Sequence, residues 1–251
     1  GNPHGNMGVD AGDYDNDGKA DIAVWREPTG VWYIIPSSTN TFTTQTWGVP
    51  GDEPVARDWD GDGKTDLAVV RRTGGNMIWY IFSSLTGGFE GRQFGASTDF
   101  TAPGDYDGDG KFDVAVQRPG ATPTSPATFY INTGTSFEFY TFGQSNDLVA
   151  PGDWDGDGKT DIAVVREGAT PTSNLTWYVR QPGGGYTTFV WGVTGTDLLA
   201  QNDYTGDGRT DYGVWRNSDG NFYVFDPTNG GFYVTNWGQP NDFPVASYDT
   251  H

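Results

Sequence analysis

Cysteine is absent from this 251-residue sequence, so neither a disulfide framework nor a thiolate metal site can form. Histidine is almost absent. The two present, His4 and His251, stand at the termini, where neither is a promising general base. No apolar run approaches the roughly 18 residues that a membrane-spanning helix needs, and no signal-peptide pattern opens the chain, although a leader could have been removed. Positive charge is scarce: 14 Lys and Arg stand against 33 Asp and Glu, for a formal charge of −19. Such a surface repels nucleic acid and anionic membrane, which leaves cations as the obvious partners. What the chain does have is 38 glycines and 15% aromatic residues, a mixture suited to many short strands joined by tight turns.

Self-similarity organises the rest. Five acidic segments align: Asp13-Tyr-Asp15-Asn-Asp17-Gly-Lys19-Ala-Asp21, Asp58-Trp-Asp60-Gly-Asp62-Gly-Lys64-Thr-Asp66, Asp105-Tyr-Asp107-Gly-Asp109-Gly-Lys111-Phe-Asp113, Asp153-Trp-Asp155-Gly-Asp157-Gly-Lys159-Thr-Asp161 and Asp203-Tyr-Thr205-Gly-Asp207-Gly-Arg209-Thr-Asp211. Each is followed by a short apolar run, an arginine (Arg26, Arg71, Arg118, Arg166, Arg216), an aromatic run and an aromatic-Gly pair. A repeat of this length carrying about four short strands is one propeller blade, and blades must stack to bury both faces of their sheets. The expectation is an all-β, five-bladed β-propeller of four-stranded antiparallel blades. It forms one domain over 1–251, with repeats at about 8–51, 52–98, 99–146, 147–196 and 197–241. Six residues before each loop stands a further acid, Asp52, Asp99, Asp147 or Asp197, but the first copy has Met7 there. The missing acid reappears in Asp242-Phe-Pro-Val-Ala246, which echoes Asp52-Glu-Pro-Val-Ala56. Residues 242–251 therefore close the ring on blade one or, alternatively, begin a sixth blade.

The spacing Asp-x-Asp-x-Asp-Gly-x-x-Asp sets carboxylates at positions 1, 3, 5 and 9 of a tightly wound loop, with a glycine at position 6 for the sharp turn. Calcium accepts six to eight oxygens in flexible geometry, so three or four carboxylates, a backbone carbonyl at position 7 and water would complete a site. Magnesium demands a stricter octahedron, and no His or Cys is at hand to favour zinc or copper. A helical EF-hand is excluded, because its position-12 Glu is here Val24, Val69, Val116, Val164 or Val214. Four loops with four Asp each and a fifth with three hold 19 of the 33 acids, and five divalent cations would take the formal charge from −19 to −9. The lysines at position 7 are expected to send their side chains to solvent.

The loop followed by Asp-Leu/Ile-Ala-Val resembles the FG-GAP/VCBS repeat family, over about residues 8 to 249. The resemblance implies an integrin-like propeller with calcium in the loop between the first and second strands of each blade. Carried over position by position, the ligands would be Asp13, Asp15, Asp17, the Lys19 carbonyl and Asp21, and likewise the second to fourth sets through Lys64, Lys111 and Lys159. In the fifth set, Asp203, Asp207, the Arg209 carbonyl and Asp211 keep the pattern, but Thr205 replaces a carboxylate, so that site is expected to be the weakest.

Other residues carry plainer readings. The five arginines are expected to pair with the linker acids and tie blade to blade. Trp25, Trp32, Trp79, Trp177 and Trp215, with Tyr14, Trp59, Tyr106, Trp154 and Tyr204 at loop position 2, are expected to pack within and between blades rather than stack on sugars. Two related insertions, 120–125 and 168–173, read as protruding loops where partners bind. No catalytic constellation stands out: the five Glu are scattered, and most acids belong to the loops, so an enzyme is not expected. The function implied is a secreted or cell-surface binding or adhesion module for a glycan or protein, filled by extracellular calcium. A structural spacer of a larger protein, or less favourably a glycosidase, are the alternatives.

Overall fold

The structure, a computed structural model, describes residues 9–10, 12–17, 21–39 and 41–236. Among the described residues, twenty strands make five antiparallel sheets of four, each a simple meander in sequence order. Blade one comprises β1 (Val9–Asp10), β2 (Ile22–Arg26), β3 (Val31–Ile35) and β4 (Thr43–Thr46). Blade two comprises β5 (Glu53–Pro54), β6 (Leu67–Thr73), β7 (Asn76–Phe82) and β8 (Phe89–Ala96). Blade three comprises β9 (Phe100–Thr101), β10 (Val114–Arg118), β11 (Pro126–Asn132) and β12 (Phe137–Gln144). Blade four comprises β13 (Leu148–Val149), β14 (Ala163–Arg166), β15 (Asn174–Arg180) and β16 (Tyr186–Val193). Blade five comprises β17 (Asp197–Leu199), β18 (Tyr212–Arg216), β19 (Asn221–Phe225) and β20 (Phe232–Asn236). The five-bladed all-β propeller expected from the repeats is what forms.

Strand chemistry follows position in the blade. The second strands read as unbroken apolar runs because both faces are covered: Leu67, Ala68, Val69 and Val70 are all buried. The third strands alternate, Met77, Trp79 and Ile81 of β7 turning inward as their neighbours remain half-buried. The fourth strands begin at an exposed edge, with Phe89, Phe137 and Tyr186 largely open to solvent. Trp25, Trp32, Trp79, Trp177 and Trp215 are at most 3% exposed, and the first four belong to clusters between sheets.

The cores lie between blades. Tyr14, Trp25 and Trp32 of blade one pack with Leu67 and Val69 of blade two. Trp59 and Trp79 pack with Phe112, Val114 and Val116 of blade three. Tyr106 and Phe129 meet Ile162 and Val164, and Trp154 and Trp177 meet Tyr212 and Val214. Interblade hydrogen bonds add direction, the Trp47 and Trp191 indoles donating to the Tyr80 and Tyr223 carbonyls at 3.1 Å. Two residues at the outer blades depart from this pattern. Tyr204 is 43% exposed, and Val24 is 39% exposed where its counterparts Val69, Val116, Val164 and Val214 are fully buried. The segment 242–251 lies outside the described residues, as do Met7, His4 and His251.

At the end of each second strand the arginine meets the linker acid. Arg71, Arg118, Arg166 and Arg216 bind Asp52, Asp99, Asp147 and Asp197 at 2.7–2.8 Å, with each carboxylate nearly fully buried. The same guanidinium groups lie 4.3–4.7 Å over Tyr80, Tyr130, Tyr178 and Tyr223. This refines the expected blade-to-blade tie. Acid and arginine belong to one blade, and the acid also accepts a backbone N–H from the chain leaving the previous blade, as Val49 N–H to Asp52 at 2.8 Å. The clasp fastens the incoming connection. Arg26, in the copy that has Met7 at the linker-acid position, donates to the Tyr33 hydroxyl at 2.8 Å.

Candidate metal centres

Every acidic segment forms the loop between the first and second strands of its blade. The first Asp organises the turn. The Asp58 carboxylate accepts N–H groups from Gly61 at 2.7 Å, Asp62 at 3.2 Å and Gly63 at 2.9 Å, and Asp105, Asp153 and Asp203 repeat this. The fifth-position Asp accepts the N–H of position 7, as Lys64 to Asp62 at 2.8 Å. The ninth-position Asp accepts the N–H of position 2, from Tyr14 to Asp21 through Tyr204 to Asp211, at 2.7–3.0 Å. Such tight winding needs left-handed backbone at positions 4 and 6. Gly61 and Gly63 supply it at φ 79° and 84°, and in the first loop Asn16 takes position 4 at φ 62°.

The winding brings carboxylates together. One oxygen each from Asp13, Asp15 and Asp17 lie within 4.8 Å of one another, and so do those of Asp58, Asp60 and Asp62, of Asp105, Asp107 and Asp113, and of Asp153, Asp155 and Asp161. The fifth loop, with Thr205 at position 3, is not one of these groups. Burial pushes the Asp66 carboxyl up to about 6, and the Asp113 and Asp161 carboxyls up to about 7, with the charges of neighbouring loop acids adding to the effect. Asp58 and Asp153 are raised for the same leading reason. Asp15 Oδ1 and Asp60 Oδ1 are buried with no hydrogen-bond partner. Clustered carboxylates that retain an uncompensated buried oxygen, with no nitrogen or sulfur donor among them, fit a hard divalent cation of the calcium type.

The FG-GAP-like repeat family matches this chain at residues 58–116 and 105–164, each match running from one acidic loop through the second strand of the following blade. Residues 58–164 match FG-GAP-like repeats. No curated protein sequence matches it. Among solved structures, TolB from Acinetobacter baumannii is similar at a TM-score of 0.58 and 18% identity, over 96% of this chain and 56% of TolB. This chain therefore spans just over half of TolB's length. The SapL1 lectin, solved in complex with alpha methyl fucoside, is similar at a TM-score of 0.50 and 13% identity, over 94% of this chain and 97% of SapL1. At these identities the likeness is one of fold.

The acidic loops are also joined to one another, which their sequence does not announce. The position-8 N–H of loops two to five donates to the position-1 carbonyl of the loop before: Thr65 to Asp13, Phe112 to Asp58, Thr160 to Asp105 and Thr210 to Asp153, at 2.6–2.9 Å. Gly12, Gly104 and Gly152 make room for the threonines, since a Cβ at any of them would lie 2.6 Å or less from the facing hydroxyl or methyl group. Where the second loop has Arg57 instead, its partner is Phe112, with the guanidinium 5.9 Å from the ring centre.

The position-7 side chains of Lys111, Lys159 and Arg209 are exposed, and their stems bridge to a neighbouring loop. Lys111, Lys159 and Arg209 lie across Gly61, Gly108 and Gly156 of the preceding loop. Lys19 lies outside the described residues. Serines that the motif omits also reach the loops from the connection between third and fourth strands. Ser37 donates to Asp17 at 2.7 Å, Ser38 to Asp15, Ser83 to Asp60 at 2.5 Å and Ser84 to Asp62 at 3.0 Å. Among the described residues no helix is long and apolar enough to cross a membrane.

Proposed function

We propose that this propeller is a calcium-stabilised, non-enzymatic binding module that works outside the cell. The gathered loop carboxylates carry the reading, and Asp60 carries it most directly: two of its neighbours stand within 4.8 Å while its own Oδ1 is buried without a partner. In the first loop Asp13, Asp15, Asp17 and Asp21 would hold the ion, in the second Asp58, Asp60, Asp62 and Asp66, and in the third and fourth their counterparts. Bound calcium supplies charge compensation only. The protein's part is to preform the turn through the position-1 carboxylate and to pass order from loop to loop. Loops of this kind fill at the calcium levels of extracellular fluid, which supports a secreted or surface location.

The non-enzymatic reading is supported by where the chemistry sits. The carboxyls raised most, Asp66, Asp113, Asp161 and Asp211, all belong to loops, and the buried linker acids are held by arginine. A glycan is the partner class favoured by a groove of about 290 Å³ between blades one and two, lined by Trp47, Arg71 and Tyr80. Calorimetric titration of the chelator-stripped chain with calcium tests the metal reading, with stoichiometric saturable uptake expected and heats equal to buffer dilution refuting it. A glycan array probed in calcium with the wild type and Trp47→Ala tests the groove. Hits lost in the variant support it, and silence favours a spacer.

A further inference from the structure

The fifth loop is where the repeat breaks, and the break is answered from the opposite strand. Tyr212 pairs with Phe225 in the β18–β19 register, which sets Asp226 directly across from Asp211. The same register places Ser83 across from Asp66 in blade two, and there Ser83 donates to the Asp60 carboxylate at 2.5 Å. Blade five thus lacks the carboxylate at Thr205 and has gained one at Asp226, in the place of the serine that reaches that position.

Both facing acids are hidden, Asp211 at 0% and Asp226 at 1% exposure, and each keeps an oxygen without a hydrogen-bond partner, Oδ1 of Asp211 and Oδ2 of Asp226. The other oxygens are satisfied, Asp211 Oδ2 by the Tyr204 N–H at 2.9 Å and Asp226 Oδ1 by the Thr228 N–H at 2.7 Å. In blades one and two the equivalent Oδ1 of Asp21 and Asp66 receives the N–H of Ser37 and Ser84 at 2.6 Å. Pro227 occupies that place in blade five and has no N–H to give. Like charges directly opposite in an antiparallel pair repel, and a buried uncompensated carboxylate is costly.

We propose that the fifth loop holds its own cation, with Asp226 replacing the carboxylate that Thr205 lacks, beside Asp203, Asp207 and Asp211. The proposal rests on the calcium reading above, and it removes the reason to rank the fifth site weakest.

Terbium, a luminescent calcium surrogate, and calcium calorimetry on the full chain test it, with Asp60→Asn in loop two as the reference for losing one site. Asp226→Asn should lose one equivalent of bound ion, or bind it at least tenfold more weakly. The double variant Thr205→Asp with Asp226→Ser, which rebuilds the blade-two arrangement, should regain the full count. That variant also decides the matter if Asp226→Asn alone fails to fold. A full count in Asp226→Asn, while Asp60→Asn loses one, overturns the proposal and leaves the calcium reading standing. A double variant that does not regain the ion overturns it too. A wild type that binds no ion overturns both.

Discussion

Chelation is the perturbation with the largest calculable effect. Four loops each hold three carboxylate oxygens within 4.8 Å. At an effective dielectric constant of 20, two unit charges at that separation repel by roughly 3.5 kcal/mol, so a fully ionised loop is untenable without protons or a cation. A cation present at 100 times its dissociation constant adds about 2.7 kcal/mol per site, on the order of 11 kcal/mol over four sites, against a whole-domain stability of about 5–15 kcal/mol. Melting followed by tryptophan fluorescence in millimolar calcium and then in EGTA should therefore show a collapse in the midpoint. Loss of one site is the finer measure. Asp155→Asn should lower the calcium-loaded midpoint by roughly 5–10 °C, at about 2–4 °C per kcal/mol for a domain of this size. In EGTA the sign should reverse, because the variant relieves repulsion, and its midpoint should match or exceed that of the wild type. Coincident melts with and without calcium, or an Asp155→Asn deficit that persists in EGTA, would refute the reasoning.

Acidification should act in opposite directions on the two forms. Asp113 and Asp161, raised to about 7, and Asp66, raised to about 6, hold protons more tightly when folded than the usual carboxylate does when unfolded. Metal-free stability should thus grow as the pH falls from about 7 towards 4 and be lost as the pH climbs back through 7, while calcium affinity weakens on acidification; melts and titrations across that range check both. Arg118→Ala should cost about 3–5 kcal/mol by stranding the buried Asp99 carboxylate, and Asp99→Asn clearly less, because Arg118 is 45% exposed and stays solvated; urea midpoints compare them. Gln117 is fully buried with both side-chain polar atoms unpartnered, so Gln117→Val, the residue of blades two and four, should stabilise by about 1–3 kcal/mol in calorimetry. On chelation, hydrogen exchange should expose the Thr65, Phe112, Thr160 and Thr210 amides first, whereas the Val49, Ala96, Gln144 and Val193 amides bound to the linker acids keep their protection.

Much of this is legible in the sequence, for reasons that particular residues make plain. Asp52 and Arg71, Asp99 and Arg118, Asp147 and Arg166, and Asp197 and Arg216 are each 19 residues apart, so a constant offset in the repeat forecast a constant contact. The acidic loops were equally visible, since ligand and turn chemistry sit within nine consecutive residues. What stayed hidden depends on pairing between distant segments. Thr65 meeting Asp13, or Lys111 lying over Gly61, requires the rotation between neighbouring blades, which no single repeat encodes. Asp226 carries no signal of its own in the sequence because it belongs to no motif. Its meaning comes from the β18–β19 register, although laying Pro36, Ser83, Thr133, Gln181 and Asp226 in one column beside Thr205 would have exposed the exchange.

The repeat fastens the two ends of each second strand by different means. At its start, the ninth-position carboxylate and its loop partners repel until something positive joins them, so that end depends on the surroundings. At its finish, the positive charge is built into the chain: Arg118 supplies it to Asp99 and lies on Tyr130 as well. An end held by arginine keeps its strength when metal is withdrawn, because the compensating charge cannot diffuse away. An end held by an ion would yield, and yield collectively, since the first carbonyl of each of loops one to four carries the next loop's amide. On the calcium reading, sensitivity to the ion is expected at one face of the propeller, while the other face, where the linker acids and the groove beside Arg71 lie, should keep its geometry.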